Sequence, residues 1–251
     1  MMDIDTLPPL VAQKGSFFTK EQIEGIERVP EHIAIIPDGN RRWARSHGLS
    51  LIDAYLEGAQ TLIKTALAAK ELGISALTVY SFSTENWRRP KEEIDLLMRL
   101  LDRHLSFYAP DLIEAHIRLH VIGNLGPVPS FLKETITSIR EKSVEKGCLD
   151  LILAINYGGR DEIVRAITSL LEQRKPISEE TISKALDTAP WPDPDLVIRT
   201  SGEERLSNFL LWQNSYAQLY TERSQWPDFS PCHLLNAVTA YQRHARHTRG
   251  S

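Results

Sequence analysis

The stretch that decides the fold is "LDLILAINYGGR", residues 149–160. From Leu149 to Tyr157 it reads as one continuous apolar strand, the kind buried on both faces. Such strands belong to parallel sheets with helices packed on either side. Outward from it, strand-like and helical segments alternate. Strands are predicted at 33–36 ("IAII"), 75–82 ("SALTVYSF"), 117–122 ("IRLHVI") and 195–200 ("DLVIRT"). Helices are predicted at 53–73 with Gly73 as the stop, from Pro90 past Leu105, and at 130–146, 161–174, 178–187 and 231–247. Pro110 is expected to kink or end the second of these. Residues 210–220, "LLWQNSYAQLY", are ambiguous between strand and helix. The alternation implies an α/β single domain, with a mostly parallel central sheet of about six strands flanked by helices. Residues 1–30 read as an N-terminal extension, in which "TKEQ" (Thr19 to Gln22) has the capping-box form of a helix start.

Composition narrows the function classes. The chain has 251 residues, 42% hydrophobic and 25% charged, enough for a sizeable core without disulfide or metal staples. Its net charge of -4 points away from nucleic acid. Cys148 and Cys232 show no paired spacing, which suits a reducing compartment. The opening "MMDIDTLPPL" is acidic and lacks the basic start of a signal peptide. No apolar run approaches the roughly 20 residues that cross a bilayer. These features together predict a cytoplasmic protein. The basic end, "RHARHTRGS", is a candidate peripheral contact with a membrane.

Open parallel sheets bind ligands beyond the carboxyl ends of their strands. There the chain places "PDGNRRW" after the first strand, "STENWRRP" after the second, "GGR" after "LILAINY" and "TSGEERLSNF" after "DLVIR". Arg41, Arg42, Arg88, Arg89, Arg160, Arg199 and Arg205 thus gather on one edge, a cationic rim in an acidic protein. Arginine forks suit phosphates. Gly39, Gly158, Gly159 and Gly202 let backbone amides approach an anion. Asp38, the one acid of its loop, reads either as a Mg²⁺ ligand among phosphates or as an Asx turn or helix cap. No G-x-x-x-x-G-K-[ST], G-x-G-x-x-G, D-D-x-x-D or zinc-spaced Cys/His cluster is present. On the helix after Pro90, Ile94, Leu97, Met98, Leu101 and Leu105 form one apolar stripe, and Leu96, Leu100 and Phe107 a shorter second. One faces the sheet; the other is either more core or the wall of a cavity.

These residues resemble the cis-prenyltransferase family, and within it the undecaprenyl diphosphate synthases of bacteria. The resemblance spans 31–248 and rests on "DGNRRW" (38–43), "FSTENW" with "RRP" (82–90), "NYGGR" (156–160), "DLVIRTSGEERLSNFLLWQ" (195–213) and "WPDF" (226–229). It implies a catalytic domain over 31–248 and Mg²⁺-dependent, sequential cis-condensation of isopentenyl diphosphate onto farnesyl diphosphate. The product would grow into an apolar tunnel, and an undecaprenyl carrier for cell-wall synthesis is the expected one. By resemblance Asp38 is the essential acid and works with Mg²⁺. Gly39, Asn40, Arg41 and Arg42 cradle the allylic diphosphate, with Trp43 beside it and Arg89 reaching in. Asn86 is the residue linked to proton removal, within the substrate-binding run of Ser83, Thr84, Glu85 and Trp87. Arg199, Arg205, Leu206 and Ser207 hold isopentenyl diphosphate. The family also implies a homodimer.

The chain departs from the family pattern in four places. Leu51 and Tyr55 stand where an arginine and a histidine are expected. Ser201 replaces a glycine, and Gln218 replaces a glutamate that ligates Mg²⁺. A non-catalytic partner subunit of the same fold and a phosphate-binding regulator are the alternative readings.

Overall fold

A computed structural model describes residues 15–143 and 149–247. Its six strands are β1 (His32–Ile36), β2 (Ala76–Ser83), β3 (Ile117–Ile122), β4 (Leu149–Tyr157), β5 (Leu196–Arg199) and β6 (Gln218–Thr221). They form one sheet in the order β3-β4-β2-β1-β5-β6, every neighbouring pair parallel. The eight helices of the described residues are α1 (Lys20–Glu24), α2 (Asn40–His47), α3 (Leu51–Glu71), α4 (Lys91–Glu114), α5 (Ser130–Lys142), α6 (Gly159–Glu172), α7 (Glu179–Ala185) and α8 (Pro231–His247).

The apolar runs behave as their composition requires. Every residue of β1 and β4 is buried, and the period of two divides each strand between two cores. Ile33, Ile35, Leu77, Val79, Leu151, Leu153 and Ile198 join the larger core together with α3, α4, α5 and α8. Ala34, Ile36, Ile152, Ala154 and Val197 face the other way, toward Tyr157, Phe209 and Leu210. Asp150 interrupts the apolar run of β4 and is answered in place. Arg118 Nε and Nη2 reach its oxygens at 2.6 and 2.9 Å, and Trp191 Nε1 donates at 2.8 Å.

Several boundaries differ from the sequence reading. Helix α3 starts two residues early, because Ser50 caps it in a reciprocal box with Asp53. Helix α4 does not end at Pro110 but continues to Glu114. Proline removes the N–H donor to the carbonyl of Ser106, and both residues are exposed, so that carbonyl is open to hydration instead. Residues 210–220 resolve into a 3-10 turn, Gln213–Tyr216, followed by the edge strand β6. The end of the helix predicted at 130–146 and the last residues of the basic tail lie outside the described residues, as does Cys148. Residues 15–30 pack on the domain: Phe18 is buried, the Phe17 amide donates to Glu71 at 2.9 Å, and the Glu27 amide to Gln242 at 2.7 Å.

The strand order reverses at β1, with β2 on one side and β5 on the other. A crevice opens at such a switch point, outside the carboxyl ends of the strands. Ile36, Ser83 and Arg199 all end there.

Candidate active site

A cavity of about 550 Å³ occupies that crevice. Its mouth is lined by Asp38, Gly39, Asn40, Arg41, Arg42, Ser83, Asn86, Arg89 and Arg199, and its far wall by α3 and α4.

The turn after β1 is fixed by its backbone. Gly39 caps α2 with φ of 103°, and a Cβ there would stand 2.6 Å from Ser201 Oγ, so conformation and space both require glycine. Asp38 is clamped to the turn after β5. Its amide donates to Thr200 Oγ1 at 2.7 Å, and its carbonyl accepts from Thr200 Oγ1 at 2.8 Å and from the Trp226 amide at 2.9 Å. Its carboxylate accepts from the Gly39 amide at 2.7 Å and from Arg199 Nη2 at 2.8 Å, with Arg42 Nη2 at 3.5 Å. The carboxylate thus meets the amide of the very next residue, not the one two residues on that an Asx turn requires, and Gly39 rather than Asp38 caps α2.

Two cationic groups flank Asp38. On the β5 side, Arg199 also donates to Ser207 Oγ at 2.8 Å and to the Arg205 carbonyl. Arg42 reaches Glu203 at 2.9 Å, and Arg205 pairs with the same carboxylate. On the helical side, Glu93 collects Arg41 Nη2 at 2.6 Å, Arg89 Nη1 at 3.1 Å and the Tyr55 hydroxyl at 3.3 Å. Arg89 donates to the Tyr55 hydroxyl as well, at 3.1 Å. Tyr55 thus stands at the mouth in the expected histidine's place as a neutral group, its hydroxyl kept protonated by burial. Leu51 opens α3 and is not on the cavity wall. Glu93 and Glu203 were not among the predicted site residues. Their signal in sequence is only their nearness to "RRP" and to Arg205.

The remaining predicted residues divide. Asn86 lines the cavity, and its Oδ1 accepts from the Ser83 amide at 3.0 Å. Glu85 ties two loops together instead, and the Thr84 hydroxyl donates to it at 3.2 Å. Asn208 Nδ2 donates to Glu85 at 2.9 Å, and the amides of Gly159 and Arg160 bond the Asn208 backbone and side-chain oxygens at 2.7 and 2.9 Å. Burial favours the protonated form of Glu85, yet bonds from Asn208, its own amide, Ser83 and Thr84 outweigh it and lower its pKa. Trp87 donates to Asn156 Oδ1 at 2.7 Å and sets its ring edge-on to Phe82, off the cavity wall. Trp43 likewise turns away: it is buried with Ala44 and Ala54, and its Nε1 donates to Asp228 at 2.7 Å. Leu206 packs against the smaller core.

Gln218 is not brought to the cavity of its own chain. It pairs with Leu196 at the start of β5, whereas Arg199 at the end of that strand pairs with Thr221. The register puts roughly 10 Å of strand between them.

The two-stripe reading of α4 does not hold either. The cavity takes Leu97, Met98 and Leu101 from one stripe and Leu100 from the other, while Phe107 is exposed. It adds His104, which the stripes passed over.

Residues 36–249 match the family described as "Putative undecaprenyl diphosphate synthase". The chain belongs to that family. It is 43% identical over 229 residues to the isoprenyl transferase of Bacillus cereus, covering 88% of this chain and 89% of the relative. It is 43% identical over 227 residues to a Micrococcus luteus protein named ditrans,polycis-undecaprenyl-diphosphate synthase ((2E,6E)-farnesyl-diphosphate specific), covering 87% and 91%. Among solved structures, lavandulyl diphosphate synthase from Lavandula x intermedia, in complex with dimethylallyl diphosphate, superposes with a TM-score of 0.81 at 35% identity. That match covers 85% of this chain and 95% of the other. The family and the structural match thus account for the single α/β domain.

Proposed function

We propose that the chain extends an allylic diphosphate, with farnesyl diphosphate as the expected primer, by repeated cis-addition of isopentenyl diphosphate. The expected product is a polyprenyl diphosphate of undecaprenyl size, the lipid carrier of cell-wall synthesis. One observation carries this reading: the cation-lined mouth around Asp38 opens directly onto an apolar wall formed by Leu62, Leu97, Leu100 and Leu101. A diphosphate head and a hydrocarbon tail need those two surfaces in contact.

In this reading, Arg41, Arg42 and the amides of the first turn of α2 receive the allylic diphosphate; helix starts favour anions. Arg89 is held for the same task by Glu93. Negative charge grows on the leaving diphosphate as the allylic C–O bond ionises. Cations fixed beforehand stabilise that charge more in the transition state than in the ground state. Arg199, Arg205 and Ser207 hold isopentenyl diphosphate, whose double bond attacks the allylic carbon, after which one proton leaves. The Asn86 amide is a poor base, and its oxygen already accepts from Ser83; its role is to position a diphosphate oxygen or a water.

Asp38 is the residue that would hold Mg²⁺. The donor set fits, because Mg²⁺ commonly takes one or two carboxylates together with substrate phosphates and water. Among the described residues no group of three or more His, Cys, Asp and Glu gathers to form a self-sufficient cage. When bound, the ion supplies charge neutralisation on the diphosphate. Gln218 is left out of this set by its register.

A homodimer and a peripheral membrane contact through the basic tail remain part of the proposal. No helix among the described residues is long and apolar enough to cross a membrane. The test is incubation of purified protein with labelled isopentenyl diphosphate, farnesyl diphosphate and Mg²⁺. Long polyprenyl products support the reading. Binding of both diphosphates without product formation would favour the partner-subunit or regulator alternatives.

A further inference from the structure

The loop after β5 does not stay beside its own strand. In the sheet, β5 lies two strands from β2 and three from β4, roughly 10 and 14 Å at the spacing of neighbouring strands. Asn208, from that loop, nevertheless meets the residues that follow both. Its backbone carbonyl accepts from the Gly159 amide at 2.7 Å, and its Oδ1 from the Arg160 amide at 2.9 Å, at the start of α6. Its Nδ2 donates to Glu85 Oε1 at 2.9 Å, in the turn after β2. These partners fix which way the side-chain amide faces. Turned over, it would set N–H against N–H and oxygen against carboxylate. The approach is close: a Cβ on Gly158 would stand 2.8 Å from Asn208 Nδ2 and 2.6 Å from Thr84 Oγ1. Gly158 therefore serves the meeting of three loops, and the Gly159 amide, expected to face an anion, is taken up by Asn208 instead.

Asn208 and Ser207 both hold left-handed backbone, at φ of 64° and 49°. Asparagine tolerates that region better than serine does. Such conformations persist where the surroundings over-determine them, and they gather at binding sites. Ser207 is exposed, and its Oγ accepts from Arg199 Nη1 at 2.8 Å. At the other end of the tie, Glu85 adjoins Asn86, which lines the cavity.

We propose that Asn208 is a positioning residue for isopentenyl diphosphate: its side chain ties the loop carrying Arg205 and Ser207 to the turn carrying Asn86, so that clamp and turn are held as one unit. The inference rests on the condensation reading, in which Arg205 and Ser207 hold that substrate. Without the tie the two loops shift independently, and the substrate must order both as it binds. The bond to Glu85 is exposed, so the fold scarcely depends on it.

Steady-state kinetics and thermal unfolding of wild type, Asn208→Gly, Asn208→Asp and the double variant Asn208→Asp with Glu85→Gln test this. Asn208→Gly keeps the left-handed backbone, adds no charge and removes the tie. Asn208→Asp keeps the acceptor for Arg160 but sets a carboxylate against Glu85. The double variant exchanges donor and acceptor, because the new amide donates where Glu85 accepted. Each single variant should raise KM for isopentenyl diphosphate about five-fold, the factor that about 1 kcal/mol gives. KM for the allylic diphosphate and Tm should stay at their wild-type values. The double variant should return KM for isopentenyl diphosphate to the wild-type value. An unchanged KM in Asn208→Gly would overturn the proposal, since added charge alone would then explain Asn208→Asp. A double variant as impaired as Asn208→Asp would overturn the tie to Glu85. Parallel losses in both KM values, kcat and Tm would reduce Asn208 to a structural residue. Should Asn208→Gly not fold, Asn208→Asp and the double variant decide the matter in high salt, where repulsion of the substrate is screened. If wild type forms no product, the condensation reading fails by itself. Calorimetric Kd for isopentenyl diphosphate then takes the place of KM, and equal values in wild type and Asn208→Gly would overturn the positioning role as well.

Discussion

Arg199 Nη2 lies 2.8 Å from Asp38 Oδ2, and the arginine side chain is only 4% exposed. The acid at the mouth is thus the counter-ion of a buried cation from the other side of the switch point. Removing the acid has two separable consequences. Asp38→Ala should lower kcat by about 100-fold or more, in the range of losses from removing a preorganised electrostatic group. It should also destabilise the fold by about 1.5–3 kcal/mol, because Arg199 loses a charge-assisted bond. Chemical denaturation measures the second effect and steady-state turnover the first. A well-folded mutant with unchanged kcat would remove Asp38 from the chemistry.

The same pairing splits the two arginines of the isopentenyl diphosphate clamp. Arg205 is 63% exposed and pairs with Glu203. Arg205→Ala should raise KM for isopentenyl diphosphate by roughly 10- to 150-fold and leave kcat nearly unchanged. Arg199→Ala should raise KM and lower kcat together, since it also frees Asp38. Steady-state kinetics with each substrate varied in turn decides it. A rise in KM for the allylic substrate alone would mean that the two diphosphate positions are exchanged.

Glu93 anchors Arg41, Arg89 and Tyr55 from the first turn of α4. Glu93→Gln keeps the shape but loses the charge that holds both guanidinium groups. KM for the allylic diphosphate should rise about ten-fold, with the fold intact, because α4 keeps its buried face. Equal KM values for Glu93→Gln and wild type would show that the arginines are held without it.

Burial brings the His104 pKa down from 6.5 to about 4. A histidine depressed in the folded state stabilises nothing extra at neutral pH, where both states are uncharged. As pH falls through about 6.5 the unfolded chain takes up the proton first, so stability is lost between about pH 6.5 and pH 4. The loss approaches about 3 kcal/mol at most, as an order of magnitude. Urea titrations across that range should show wild type losing more stability than His104→Leu. Parallel pH profiles would place the imidazole in contact with solvent.

Much of the architecture was legible because it is written locally. The apolar runs of β1 and β4 and the rule about carboxyl ends placed Asp38, Arg42, Arg89 and Arg199 at one mouth before any coordinates. What stayed hidden depends on register and remote partners. Glu93 sits in the first turn of α4, yet its partner Arg41 comes from a different helix, distant in sequence. Gln218 lies on the strand next to Arg199, but strand register puts it beside the other end of β5. Trp43 sits inside the first motif, and only the fold shows its indole turned to Asp228. His104 is polar and so fell outside both apolar stripes, and only the fold shows that it lines the cavity. The cavity also crosses the face of α4 obliquely, so neither apolar stripe traced it.

Ser201 stands where a glycine was expected, and its φ of 73° lies in the left-handed region. A side chain there costs roughly 1–2 kcal/mol. Glycine would remove that cost and return roughly 0.5–1 kcal/mol as greater freedom in the unfolded chain. The backbone bonds do not depend on the side chain. The Ser201 amide donates to the Ser224 carbonyl at 2.8 Å, and its carbonyl accepts from Arg42 at 3.3 Å. Ser201→Gly should therefore stabilise the fold by about 0.5–1 kcal/mol, which for a chain of this length raises Tm by roughly 1–4 °C. Differential scanning calorimetry checks the shift. A lower Tm in Ser201→Gly would mean that the hydroxyl contributes more to this turn than the left-handed backbone costs.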